Sequence, residues 1–178
     1  MNSIDKNQPE ETRDDLQGAD AVAKIRELVG KAENCFFRTA HSPAEGRGVR
    51  PMNVRQVDDH GSLWFLAAND SHLIKELEDD ASVELYFQGS SHSDFLYLEG
   101  RATLSRDKAK IKELWEPIIK NWFTGGVDDP RIIVIQIAPG AGYYWDTKHG
   151  GMVAGIKMLL GAATGRTMDD SIQGKIRV

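Results

Sequence analysis

The sequence predicts a mainly β, α+β fold: a small barrel decorated with helices. Three observations carry it. Val83, Leu85 and Phe87 alternate with Ser82, Glu84, Tyr86 and Gln88, and Leu96 to Leu104 alternates in the same way with Phe95 to Thr103. A period of two means sheet with two distinct faces. Asp58-Asp59-His60-Gly61 joins two β-rich runs with hairpin-turn chemistry. The apolar run Ile132 to Ile137 has the length and branching of a buried strand. Five to seven antiparallel strands with helices filling the gaps indicate a small, helix-decorated barrel.

The elements follow in order. Residues 1–19 carry Asp5, Glu10, Glu11, Asp14 and Asp15 with little apolar content, and read as a disordered acidic tail. Ala21, Val22, Ile25, Leu28 and Val29 recur at helical spacing. Asn34 to Ala40 is a short strand, and His41 to Gly48, with Pro43, Gly46 and Gly48, a mobile loop. Arg50 to Val57 and Ser62 to Ala68 form an antiparallel pair across the Asp58 turn. Ser71 caps a short helix with Leu73, Ile74 and Leu77 inside.

The stripe Ile111, Leu114, Trp115, Ile118, Ile119 and Trp122 reads as the longest helix, starting at Ser105 or Asp107 and bent at Pro117. Gly140-Ala141-Gly142 marks a bulge before the strand resumes at Tyr143 to Asp146. A helix over Met152 to Ala163 and a strand from Lys175 to Val178 close the chain. One domain, residues 20–178, accommodates all of this.

Composition excludes several function classes. A net charge of -5 lacks the clustered basic face of a nucleic-acid binder. The one cysteine, Cys35, lies in an apolar run and reads as a buried, inert thiol. The N-terminal residues are too acidic for a targeting peptide, and Met152 to Ala163 is too short to span a bilayer, so a cytoplasmic protein with no membrane contact is expected.

No dinucleotide fingerprint, phosphate-binding P-loop, paired-histidine zinc motif or nucleophile elbow occurs. His41, His60, His72, His92 and His149 never pair at ligand spacing, so no metal is expected, and the acidic pairs fall at turns. The junction of Ser62–Ala68 with the helix after Ser71 is the one candidate ligand site. A helix start presents unpaired N–H groups and partial positive charge, which suits a phosphate, with His72 and Lys75 on one face. A plain cap beside a solvated lysine fits those residues too.

Taken in order, Arg50-Pro51-Met52, Leu63-Trp64-Phe65-Leu66, Trp122-Phe123-Thr124-Gly125-Gly126 with Asp128-Asp129-Pro130, and Tyr143-Tyr144-Trp145-Asp146 form a set. The set resembles the general-stress-protein branch of the pyridoxamine 5′-phosphate oxidase-like superfamily, over nearly the whole chain from Val22. The resemblance implies a split β-barrel, FMN as cofactor and a homodimer. It places Arg50, Pro51, Met52 and Asn53 along the isoalloxazine ring. It places Leu66 and Ala67 at the cofactor-binding end of their strand, Ser71, His72 and Leu73 at the phosphate, and Trp122 and Trp145 near the flavin; Lys75 or Arg50 stands nearby to supply the phosphate's cation.

This chain departs from the pattern at three places. The basic pair after the serine is His72-Leu73, the threonine ending the strand is Ala67, and Asp146-Thr147-Lys148-His149-Gly150 replaces the Arg-x-His segment that holds vitamin B6 substrates. The expectation is a flavin-dependent oxidoreductase that does not act on vitamin B6, with no assigned acid or base. A non-catalytic flavin-binding or interaction module is the alternative.

Overall fold

Strand β8 (Ile132–Thr147) is the spine of the molecule in the computed structural model, which describes residues 12–40, 48–91, 93–148 and 170–178. Along its length β8 pairs antiparallel with β7 (Phe95–Ser105). On its other side it pairs first with β5 (Leu63–Ala68) and then with β9 (Ser171–Arg177). The sheet continues from β7 through β6 (Ser82–Gln88) and β2 (Asn34–Thr39) to β3 (Val49–Asn53). At the opposite end β1 (Leu16–Gln17) joins β9 in parallel, and β4 (Gln56–Val57) pairs only with β5.

The sequence of β8 explains its double role. Its first half is apolar on both faces because both are covered. Ile133, Ile135 and Ile137 enter the main core with Phe37, Phe65, Leu85 and Leu98, while Ile132 and Val134 enter a second cluster with Ile111, Leu114, Ile119 and Phe123. Its second half alternates, with Tyr144 and Asp146 buried and Trp145 exposed. Between the halves Gly100 pairs with Pro139 and Glu99 with Ala141, which leaves Gly140 as the extra residue of a bulge. Helix α1 (Gly18–Ala32) covers the core with Ala21, Ile25, Leu28 and Val29.

Four expectations are corrected. Residues 12–19 are ordered: Asp14 N–H bonds Gln173 C=O and Gln173 N–H bonds Thr12 C=O, each at 2.9 Å, so backbone pairing outweighs acidic composition. The Asp14 carbonyl lies only 1.7 Å from where a Cβ on Gly174 would sit, so no other residue admits this crossing. Arg50 to Val57 is two strands. β3 pairs with β2, the chain steps across at Val54 and Arg55, and only β4 forms the hairpin with β5.

The long helix also divides. α3 (Lys108–Leu114), capped by Asp107, stops before Glu116, whose φ of -127° and ψ of 151° are extended as the residue before a proline requires. Pro117–Asn121 then forms a separate 3-10 turn. The last strand begins at Ser171 rather than Lys175. The loop 41–47 and the helix expected over 152–163 lie outside the described residues.

The hairpin turn is held by one carboxylate. Asp58 accepts from the backbone N–H of His60 and of Ser62, both at 2.9 Å, and from the Trp64 indole N–H at 3.0 Å. Burial pushes its pKa up, but the three donors prevail and hold it below the ordinary aspartate value. The contribution to stability is therefore present at neutral pH and is lost on acidification through the carboxylate range. Asp58→Ala should cost about 1–2 kcal/mol at pH 7 by denaturant unfolding. Its deficit relative to wild type should shrink as the pH falls below about 4.

Candidate functional site

Pleating sorts the candidate residues onto opposite faces of the sheet. On β2, Cys35, Phe37 and Thr39 point inward, while Phe36 and Arg38 point out. Desolvation pushes the Cys35 thiol up to about 12, so it is inert at neutral pH. On β3, Arg50 and Met52 are the half-buried inner residues, while Val49, Pro51 and Asn53 are exposed. Strand register then lines up Pro51, Phe36, Tyr86, Tyr97 and Tyr143 in one row across β3, β2, β6, β7 and β8.

This aromatic row is open to solvent at Phe36 (60%) and Tyr86 (41%). Phe95 and Trp145, paired across β7 and β8, form a second row beside it. Together with Asn34 and Pro51 they line a groove of about 790 Å³. The phenols are tied laterally: Tyr86 donates to Glu84, and Tyr97 donates to Glu99 at 2.7 Å. Burial and the Glu99 acceptor raise the Tyr97 pKa well above that of a free phenol.

The second component of the site is helix α2 (His72–Asp79), which enters directly from β5. The Ser71 side chain accepts from Ile74 N–H at 3.4 Å and so caps it. Leu73, Ile74 and Leu77 are buried in the main core, while His72 and Lys75 are exposed on one face. Leu73 therefore contributes only its backbone to any ligand at the helix start. Ala67 faces the main core and Leu66 packs on the second cluster, so neither side chain is aimed at the helix start.

Arg50 reaches α2, but not its N-terminus. Its guanidinium lies 2.5 Å from the carboxylate of Glu76, a full turn into the helix, and Thr39 Oγ1 donates to the same oxygen at 2.7 Å. Glu76 is only 6% exposed. Asn53 is committed to the α1–β2 junction, donating to Glu33 C=O and Asn34 Oδ1 at 3.2 Å.

The structure brings Pro51 and Trp145 to one groove, whose lining includes none of Arg50, Ser71, His72 and Lys75; Ser71, His72 and Lys75 share the first turn of α2, and Arg50 meets that helix at Glu76. It does not bring Trp122 to either. Trp122 follows the 3-10 turn beside the second cluster and is 67% exposed. Trp64 is occupied structurally, with its indole N–H on Asp58 and Lys110 Nζ 4.1 Å from its ring centre.

Two features escaped the sequence reading. The outward aromatic row was visible only once register was known. Glu76 did leave a signal: an acid inside the apolar stripe Leu73, Ile74, Leu77 must find a cation when the helix packs. Among the described residues no group of His, Cys, Asp and Glu is placed to hold a metal ion, and no helix is long and apolar enough to cross a membrane.

The profile of the pyridoxamine 5′-phosphate oxidase like family matches residues 20–169. The chain belongs to this family. An open split-barrel sheet with few helices is the fold it shares with solved relatives. A general stress protein 26 from Jannaschia sp. CCS1 matches with a TM-score of 0.72 at 23% identity, over 90% of this chain and 99% of the other. The general stress protein 26 of Bacillus anthracis str. Sterne matches with 0.59 at 18%, over 69% and 92%. The general stress FMN/FAD binding protein of Xanthomonas citri matches with 0.58 at 23%, over 67% and 83%. Protein bli-3 of Neurospora crassa is 26% identical over 104 residues, 53% of this chain and 50% of that protein, so the chain spans about half the length of this curated relative. The family assignment agrees with the resemblance read from the sequence, and these neighbours share its fold.

Proposed function

We propose that this chain binds FMN as a homodimer and acts as a flavin-dependent oxidoreductase in the cytoplasm. The observation that supports it best is the position of β3. It ends the hydrogen-bonded path of the sheet, so among the described residues one row of its backbone groups faces away from any strand. A flat heteroaromatic ring needs such a row along its edge and apolar contact on its face. Pro51 and the aromatic row beside it supply the apolar contact. The phosphate belongs at Ser71 and His72, where the first-turn N–H groups of α2 meet, with Lys75 as the exposed cation and Arg50 a turn deeper, on Glu76. The family and the name of the Xanthomonas citri neighbour support a flavin.

Bound flavin would supply the redox chemistry, while the protein binds, orients and shields it. The donor set fits a phosphate, though with less positive charge than an Arg-Lys pair after Ser71 would bring. That shortfall favours a second reading: a non-catalytic, flavin-sequestering or interaction module. NAD(P)H-dependent bleaching of the bound flavin distinguishes the two, since a carrier leaves the absorbance unchanged.

FMN titration followed by flavin fluorescence should show saturable binding. His72→Arg should tighten it by about three- to tenfold, and Lys75→Ala should weaken it by a similar factor, the value of one charge-assisted contact at a partly exposed site. If neither substitution moves the affinity, the phosphate is not held at α2.

Exposed edges and aromatic patches of this kind call for a covering partner. Light scattering at micromolar concentration should give twice the chain mass. Phe36→Asp, which puts a charge in the centre of the aromatic row, should shift the protein to monomer. A monomeric wild type overturns the dimer.

A further inference from the structure

Glu76 is an acidic side chain that the proposed flavin site does not use and yet touches the inward-facing cation of β3. Its side chain is 5% exposed, and the Arg50 guanidinium beside it is 21% exposed. A carboxylate this buried is held by its partners: Arg50 at 2.5 Å and the Thr39 hydroxyl at 2.7 Å, both on Oε2. Leu73, Ile74 and Leu77 on the same helix are in the core, which fixes α2 on the sheet and presents Glu76 to Arg50. The carboxylate is a fixed negative charge from the scaffold.

From this geometry we infer that Glu76 is an internal counterion which competes with a ligand phosphate for Arg50, so that the site selects flavin by its ring and discriminates only weakly between FMN and riboflavin. The inference rests on the flavin reading above. A phosphate monoester carries about -1.5 to -2 charge near neutral pH. Bringing it to a guanidinium whose charge is already matched gains little, because attraction to Arg50 is opposed by repulsion from Glu76 at nearly the same distance. Lys75, a cation on the first turn of α2, is exposed and screened by solvent. The ring, by contrast, loses nothing, since Pro51 and the aromatic row lie on the outer face of the sheet and Glu76 on the inner. Glu76 is thus a specificity-determining residue acting through Arg50, and the ligand class that fits is a flavin with or without its phosphate.

The test is to titrate the full-length protein with FMN and with riboflavin and compare the two affinities. For wild type the preference for FMN should be about tenfold or less, the value of roughly one hydrogen bond. Glu76→Gln keeps an acceptor for Thr39 and removes the charge. It should raise the FMN preference by about tenfold or more and leave riboflavin affinity within about threefold. In the same variant FMN should raise Tm more than it does in wild type, while riboflavin should not. Three results would overturn the inference while leaving flavin binding intact. One is a wild-type preference above about a hundredfold, which needs no variant and decides the matter even if Glu76→Gln does not fold. The others are an unchanged preference in Glu76→Gln, and a loss of FMN affinity in that variant, which would make Glu76 a support for Arg50 rather than its competitor. Binding of neither flavin by wild type overturns both the inference and the reading on which it rests.

Discussion

Everything in this molecule depends on the pairing of β7 with β8. That ladder runs from Ser105 opposite Val134 to Phe95 opposite Trp145, and each other part of the sheet hangs from one of its two edges. The close approach is possible because Gly142 sits where a Cβ would lie 2.3 Å from the Tyr97 carbonyl, and because Gly140 absorbs the extra residue of the bulge. The bulge changes which surface β8 serves. Before it, both faces are buried; after it, one face is core and the other carries Tyr143 and Trp145 outward. The aromatic groove and the two-sided core are therefore consequences of one strand changing its surroundings at Gly140.

The same division separates stability from binding. The inner residues of β2 and β3 tie the sheet together and to α2, with Phe37 in edge-to-face contact with Phe65 of β5 at 5.4 Å and Arg50 on Glu76 of α2. Lys24 pairs with the buried Asp146 at 3.0 Å and joins α1 to the far end of β8. Removing one partner of such a pair leaves a buried charge uncompensated, a large penalty for a small domain. The outer residues, Asn53 apart, are tied mainly to neighbours on their own face, as Tyr97 is to Glu99. Phe36 and Trp145 are fastened only by neighbours in their own face, which leaves them available to a ligand or another chain.

Much of this was legible in the sequence, and the exceptions share a cause. Strands with period-two alternation, β6 and β7, were read to within a residue, as were the Ser71 cap and the bulge before Tyr143. These are local signals. Misread segments were those where a distant partner decided the outcome. β3 and β4 look like one strand until β2 and β5 claim different parts of it. Residues 12–17 have the composition of a tail, but Gln173 and Gly174 offer them a backbone ladder. Pro117 was seen, but its effect on Glu116 was read as a bend when it was a stop. For the site, Ser71 and His72 do stand at the start of α2 and Pro51 on the outer face of β3, while Trp122 lies beside the second cluster. Which face each side chain takes was not legible, because that needs the register.

The candidate phosphate seat shows how a fold constrains a binding site. Helix α2 must bury one stripe to hold its place, and three of the four residues in that stripe are aliphatic. The fourth, Glu76, is charged, so it recruits the nearest inward-facing cation, and β3 alternation makes that cation Arg50. The position that in the resembling family is open to a cation, Leu73, is meanwhile consumed by the core. Two independent packing requirements thus draw positive charge away from the helix start. What remains for recognition is backbone N–H groups, one capping hydroxyl, an exposed lysine and an aromatic floor. A site of that composition draws its affinity from the flat, apolar part of a ligand and uses the anion mainly to set orientation.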